Sequence, residues 1–385
     1  MQKTWAFLFV LLLAVATCPI TIKPVFAEDS WTTKAPMHEP RGLLGVAVVN
    51  GKIYAIGGNN GSGLVGTNEM YDSVTDTWKF KEPMPTPRGA FAIIVYQNKI
   101  YCIGGRTSNG VMIGYSNVNE VYDTVTNTWE TKASMPGGLY GTAFGVVDGK
   151  FYLIGGSKRG VNTPLPSEAN VVYDPLLDSW TTKEQIPESA QNYYIASTVV
   201  DNRIYCIKAG GFTSSHHKND VYDAVNDIWN VKTGPPLNQT YPTAASTTGV
   251  NAPVRIYVLD ASTNQVYDPK TDSWTDAASM ITARYYVGVA VIDDVFYVIG
   301  GIVGTSSDFI PSAFTPSTFI PSASNEQYLP IGYLTPTASP TTTPTPTPSQ
   351  EPQQREQLEI ITAVAILAAV IGAGLGLLIY FKKRK

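Results

Sequence analysis

Cysteine, histidine and charged residues are all scarce in this chain of 385 residues, and each shortage removes a class of function. Of three cysteines, Cys18 lies in an N-terminal apolar run, while Cys102 and Cys206 occupy the same place in two non-adjacent repeats. Their Cα atoms are expected well beyond the roughly 7 Å limit for a disulfide, so they read as buried thiols acting as small hydrophobes. Thr17 is not the small residue that a lipid-bearing Cys18 wants before it. The histidines are His38, His216 and His217, and neither a carboxylate cluster nor cysteine ligands accompany the adjacent pair. No GxSxG and no Ser-His-Asp constellation stands out. A net charge of −4 with dispersed Lys and Arg speaks against a nucleic-acid surface. The expectation is no metal, no cofactor and no nucleic acid.

Long apolar runs are confined to the two ends. Lys3 precedes the run Trp5 to Ala16, and Val25-Phe26-Ala27 offers a small-residue cleavage point before Glu28, so residues 1–27 read as a signal peptide. The run is shorter than the roughly 20 residues that a spanning helix needs. At the other end Ile360 to Phe381 carries no charge and Lys382-Lys383-Arg384-Lys385 follows, which predicts a single transmembrane helix over 359–381 and a cytoplasmic basic tail at 382–385. Gly372 and Gly376 have the spacing of a weak helix-pairing motif. Residues 335–358, rich in Thr and Pro, read as an extended stalk. The body, 28–334, is thus expected outside a plasma membrane, and the stalk, short tail and lack of disulfides suit a prokaryotic, archaeal envelope.

That body repeats with a period near 50 residues. A hydrophobic strand ending in two glycines recurs as KIYAIGG (Lys52 to Gly58), KIYCIGG (Lys99 to Gly105), KFYLIGG (Lys150 to Gly156), RIYCIKAGG (Arg203 to Gly211) and VFYVIGG (Val295 to Gly301), with RIYVLD (Arg255 to Asp260) as a copy without glycines. Downstream come Tyr-Asp and, seven residues after the Tyr, a Trp: Tyr71 and Trp78, Tyr122 and Trp129, Tyr173 and Trp180, Tyr222 and Trp229, Tyr267 and Trp274. The pattern predicts four-stranded antiparallel sheets with a tight turn such as Asn50-Gly51 between the first two strands. One such sheet cannot bury both faces alone, but six stacked around an axis can.

These motifs resemble the kelch repeat, over about residues 30 to 333, and the resemblance implies a six-bladed β-propeller in an all-β fold. The sixth copy keeps Asn325-Glu326-Gln327-Tyr328 but lacks its Trp, whereas Ser30-Trp31-Thr32-Thr33-Lys34 matches Ser179-Trp180-Thr181-Thr182-Lys183. The N-terminal strand around Trp31 is therefore expected to close the last blade, since an open ring would leave two sheet edges exposed.

Strand direction places the loops between second and third strands, and those joining successive blades, on one face, the default binding surface. Three candidate groups lie there. Arg41, Arg88 and Arg284, each sixteen residues before a diglycine, form a basic sector that Arg106 joins; their other reading is as braces between blades. Tyr140, Asn192, Tyr193 and Tyr241 lie opposite, an arrangement suited to an anionic sugar or an acidic peptide. The sixth-blade loop carries Phe309, Phe314 and Phe319 in three Pro-containing pentapeptides, either as an exposed partner-binding arm or folded over the mouth. Asn60-Gly61-Ser62 and Asn238-Gln239-Thr240 are glycosylation sequons. The leading expectation is a non-enzymatic cell-surface module for a protein or glycan. The alternative is a sugar-modifying enzyme similar to the N-acetylneuraminate mutarotases, for which Glu188 with Arg41 or Arg284 is the nominated pairing.

Overall fold

The second strand of every repeat carries a run of four apolar residues, such as Ile53 to Ile56, and the outer strand alternates. That difference decides which strands lie inside. The computed structural model describes residues 27–108, 113–159, 165–187, 194–211, 214–237, 241–261, 263–304 and 320–334. The first 26 residues of the expected leader, the stalk 335–358, the helix expected over 359–381 with Gly372 and Gly376, and the tail 382–385 lie outside the described residues. Among those described, no helix is long and apolar enough to cross a membrane.

Six four-stranded antiparallel sheets are arranged as a propeller. In the first blade the strands are Gly45–Val49, Lys52–Ile56, Asn68–Asp72 and Thr77–Lys81, from the axis outward. Each inner strand packs on the inner strand of the next blade, and the sixth, Gly288–Ile292, packs on the first. Covered on both faces, the second strands are buried almost throughout: Ile53, Tyr54, Ala55 and Ile56 are all inaccessible, as are their counterparts Phe151 to Ile154. The outer strand Thr77–Lys81 buries only Trp78 fully, which accounts for its alternation.

The diglycine has a specific steric cause. Gly57 and Gly58 take φ of 63° and 100°, and a Cβ on Gly57 would lie 2.6 Å from the carbonyl oxygen of Arg88 in the next blade. Only glycine allows this approach and this backbone. The same carbonyl accepts the Gly58 N–H at 3.0 Å, so the glycines are where one blade's main chain docks on the next. In the fourth copy the pair Gly210-Gly211 is not in register with the others. Ile207 pairs with Ala196 as Ile56 pairs with Gly45, which puts Lys208 and Ala209 at the glycine positions and lets the strand Arg203–Gly211 run on. The fourth copy, expected from the sequence to keep the diglycine, therefore lacks it in register.

A polar latch repeats at the rim of every blade junction. The Tyr hydroxyls of the third strands donate to a side-chain oxygen two residues before the Trp, from Tyr71 to Asp76, Tyr122 to Asn127, Tyr173 to Asp178, Tyr222 to Asp227 and Tyr267 to Asp272, at 2.5–2.7 Å. That Asp or Asn also accepts the N–H of the residue just past the preceding blade's outer strand, as Asp76 does from Ala35 at 2.9 Å and Asp178 from Ala133 at 2.8 Å. The Trp indole then donates to the carbonyl of that same residue, Trp78 to Ala35 at 2.7 Å and Trp180 to Ala133 at 2.8 Å. All five turn residues adopt φ between 47° and 57°, a region Asn and Asp tolerate better than other side chains.

The sixth latch is completed from the N-terminus. Ser30–Lys34 pairs with Asn325–Leu329, with Trp31 opposite Tyr328. Asp29, at φ 54°, accepts from the Tyr328 hydroxyl at 2.8 Å and the Ala278 N–H at 2.7 Å, and Trp31 donates to the Ala278 carbonyl at 2.8 Å. Every element of the latch is present although its two halves lie about 300 residues apart in sequence.

The latch carries a pH dependence. The Tyr hydroxyl bond holds Asp76, Asp178, Asp227 and Asp272 below the usual carboxylate range. A depressed folded-state pKa adds stability that is fully present above the ordinary Asp value and is lost as pH falls through the lowered one. Asp178→Ala is expected to cost about 1 kcal/mol at pH 7, since the two hydrogen bonds to its charged acceptor lie at the solvent-exposed rim and are screened. Asp178→Asn, which copies what Asn127 does in the second blade, is expected to retain most of that and to flatten the acid side of the stability profile. Urea denaturation from pH 7 down to about 3.5 measures both.

Candidate functional site

The mouth of the axial channel is built from one position repeated six times, two residues before each inner strand: Leu43, Ala90, Gly141, Tyr194, Tyr241 and Tyr286. Five of them, all but Tyr194, have φ between 53° and 64°, and four of those five carry a side chain in the left-handed region. The strain has an evident compensation. The turned backbone runs a chain of hydrogen bonds around the axis: Leu43 N–H to Tyr286 O at 3.1 Å, Ala90 to Leu43 at 2.9 Å, Gly141 to Ala90 at 2.9 Å, and Ile195 to Gly141 at 3.2 Å. Leu, Ala and Tyr there would cost of order 1–2 kcal/mol each without those bonds.

Beyond that arc the ring is filled by aromatic side chains. Tyr241 stacks on Tyr286 with centroids 4.1 Å apart, and Tyr194 meets both edge-on at 5.1 and 5.3 Å. Tyr140 continues the row 5.7 Å from Tyr194, and Tyr115 lies 5.3 Å from Tyr140. Behind this cluster a cavity of about 390 Å³ follows the axis between the inner strands, mostly apolar, with Thr142, Ser197, Thr198 and Thr243 among its lining. Burial drives the Tyr194 and Tyr286 hydroxyls well above the ordinary tyrosine value, while the positive charge of Arg106 acts on both in the opposite sense and loses. The phenols therefore stay protonated at neutral pH. They are equipped for hydrogen bonding and stacking rather than for proton abstraction.

Of the residues expected here, Arg106, Tyr140 and Tyr241 are brought together, with Arg106 and Tyr241 half-buried but Tyr140 buried beneath the mouth at 2% exposure. Arg41, Arg88 and Arg284 are not at the surface: all three are wholly inaccessible. Arg41 pairs with Glu69 at 3.0 Å and donates to the carbonyls of Gly57 and Thr67 at 2.8 and 2.9 Å. Arg88 pairs with Glu120 and donates to Cys102 O at 2.7 Å; Arg284 pairs with Glu326 at 3.1 Å and donates to Gly300 O at 2.5 Å. Their side chains tie the strands of their own blade, and the main-chain carbonyls of Arg41 and Arg88 receive the preceding blade's diglycine. The basic sector is an internal brace. Tyr193, Asn192, Glu188, Phe309, Phe314 and Phe319 lie outside the described residues. Among those described, no group of three or more His, Cys, Asp or Glu could hold a metal ion. The Cys102 and Cys206 thiols are buried and unbridged, and burial pushes each up to about 12.

Tyr194, Tyr286 and Tyr115 were not singled out from sequence. The signal for the first two was available: counting back two residues from each inner strand places them in one ring with Tyr241. What sequence lacked was the backbone conformation that sets three of these side chains together at the mouth.

The brace varies between blades in a compensated way. In the third blade Leu139 and Val171 stand where the second has Arg88 and Glu120, and both are buried in one apolar cluster. In the fourth, Asp220 takes the Glu position, and the cation comes from Lys208 at 2.6 Å, both nearly inaccessible. Arg88→Leu alone strands Glu120 in the interior and is expected to cost about 3–5 kcal/mol. Adding Glu120→Val, the third blade's solution, is expected to recover most of that loss in a double-mutant cycle by urea denaturation.

Comparison with known proteins agrees with this architecture. The model of the KLHDC2/KLHL20/DRC7 kelch-repeats domain matches residues 44–250, more than half of the chain. Kelch-like protein terF of Aspergillus terreus is 26% identical over 187 residues, covering 48% of this chain and 32% of that protein. Kelch-like protein 25 of Xenopus tropicalis is 28% identical over 200 residues, again 48% and 32%. The chain thus spans about a third of the length of these relatives. Among solved structures, the one titled "Structure of YjhT" superposes with a TM-score of 0.60 over 75% of this chain and 95% of that one, at 14% identity, a likeness of fold. With six blades, the repeated Tyr and Trp latch and this match, the chain belongs to the kelch-repeat family.

Proposed function

We propose that this propeller is a binding module without catalytic activity, exported and held at the outer face of a membrane, which recognises a protein or glycan through its tyrosine-lined mouth. Kelch-repeat propellers are typically protein-interaction modules, and this chain shares the repeat. The observation that carries the reading further is the row of half-buried Tyr115, Tyr194 and Tyr241, backed by the buried Tyr140 and Tyr286, with Arg106 within electrostatic reach. Tyr and Arg are the residue types that concentrate binding energy at interfaces, and tyrosines that already pack on one another lose little freedom on binding. The export and anchoring part rests on the apolar run before Glu28 and the uncharged segment 360–381.

The sugar-modifying alternative asks for a carboxylate and an arginine converging at the mouth. Arg41 and Arg284 are each engaged by a glutamate inside their own blades, so the nominated pairing lacks its cation there. Nothing else in the described residues favours that chemistry.

A pull-down and glycan-array screen with residues 28–334 tests the proposal. Arg106→Glu combined with Tyr241→Ala is expected to weaken capture of any ligand found by at least about tenfold, as loss of two interface anchors does. Capture unaffected by these changes in a protein that still melts cooperatively, or turnover of a captured sugar, contradicts it.

A further inference from the structure

The face opposite the mouth repeats a different feature. Each turn between third and outer strands is fixed by its Asp: Asp72 Oδ1 accepts the Val74 N–H at 3.0 Å, Asp123 that of Val125 at 2.9 Å, Asp174 that of Leu176 at 3.0 Å, and Asp223 that of Val225 at 3.1 Å. The residue two past the Asp stands at the tip, and its side chain does nothing for the turn. Yet four consecutive blades put an aliphatic there, exposed at 87% for Val74, 81% for Val125, 77% for Leu176 and 64% for Val225. Leu177 adds a fifth, and Lys270 ends the series in the fifth blade. Single exposed aliphatics need no explanation, but the same exposure at one repeat position in successive blades does.

Two further observations bear on what meets these tips. The charges beside them are neutralised, since Lys52 pairs with Asp72 at 2.6 Å, Lys99 with Asp123 at 3.5 Å and Lys150 with Asp174 at 3.2 Å. And the described chain ends on this face. Leu334, itself 73% exposed, donates its N–H to Asn251 O at 2.7 Å, in the loop between the first and second strands of the fifth blade, beside the exposed Val250. The sequence then runs 25 residues, 335 to 359, to the uncharged stretch 360–381.

We propose that this turn face docks on a lipid surface, with Val74, Val125, Leu176, Leu177 and Val225 entering the headgroup layer. The tips are separate protrusions spread around a ring, rather than the contiguous patch that a protein partner covers. A headgroup layer accepts isolated aliphatic side chains in that way, and paired charges beside them reduce the cost of approach. Even fully extended at about 3 Å per residue, a 25-residue tether limits the face to within roughly 80 Å of the bilayer, which raises its effective concentration there and lets weak contacts count. The proposal rests on the anchored reading given above.

The test uses the full chain mixed with phosphatidylcholine vesicles carrying phosphatidylglycerol. Environment-sensitive fluorophores are attached at Val125→Cys, at Leu176→Cys and, as the opposite-face control, at the exposed Ser62→Cys, all in a Cys18→Ser background; the native Cys102 and Cys206 are buried. Flotation with the vesicles reads the anchor. Quenching by shallow doxyl lipids reads docking, and is expected to be at least about threefold stronger at residues 125 and 176 than at residue 62. The combined variant Val74→Asn, Val125→Asn, Leu176→Asn and Val225→Asn, probed at Leu177→Cys, is expected to keep its melting temperature and lose the excess quenching. A chain that floats but quenches equally at all three sites overturns the docking and leaves the anchor standing. A chain that does not float overturns both. Shielding of the turn probes that grows with protein concentration in detergent identifies a second copy as the occupant and overturns the lipid proposal.

Discussion

The ring depends on one contact, repeated at every blade junction: a turn Asp or Asn that accepts both its own blade's Tyr hydroxyl and the main-chain N–H of the blade before. The Trp two residues later takes the carbonyl of that same main-chain residue, so both polar groups of one residue are held by the neighbouring blade. Main-chain groups just past the end of an outer strand have no partner within their own sheet, and in a propeller the neighbouring blade must supply one. The latch does this at the rim, and the diglycine does it near the mouth, where a bare backbone meets the next blade's carbonyl. Apolar wedges between blades give most of the stabilisation, but they are non-directional. The polar contacts fix where one blade sits against the next.

The same division of labour explains the arginines. A buried guanidinium with its glutamate and two to four carbonyls gathers the ends of second and third strands into one point, and such a pair contributes more to register than to net stability. The third blade, with Leu139 and Val171, shows that the place can be filled without charge, and the fourth shows that the cation can arrive from another strand as Lys208. In each of these blades the interior stays balanced. What remains for ligands is the ring of left-handed residues and the tyrosines that fill it, together with loops whose length the scaffold does not constrain.

Much of this was legible before the structure. The six copies of the apolar strand set the blade count, and the match of Ser30 to Lys34 with Ser179 to Lys183 located the closing strand, because a repeat carries its own alignment. Three things were hidden for physical reasons. The sixteen-residue offset of Arg41, Arg88 and Arg284 says nothing about which way a long side chain turns, and these turn inward. Gly210-Gly211 looked like the diglycine, but only pairing of Ile207 with Ala196 reveals a two-residue extension of the strand. Tyr286 belongs to the mouth through a left-handed backbone conformation that Tyr seldom adopts, and Tyr194 reaches it by packing edge-on against Tyr241 and Tyr286; no propensity points to either.

If the latch is the determinant of closure, the blade junction made from the two chain ends should be as tight as the five made within the chain. Native-state hydrogen exchange at the six latch amides, Ala35, Glu82, Ala133, Glu184, Thr233 and Ala278, measures this directly. The account predicts that Ala278, bonded to Asp29, exchanges only with global unfolding, with the same protection as Ala133, bonded to Asp178. Exchange of Ala278 at the rate of an open loop while the other five stay protected would contradict it.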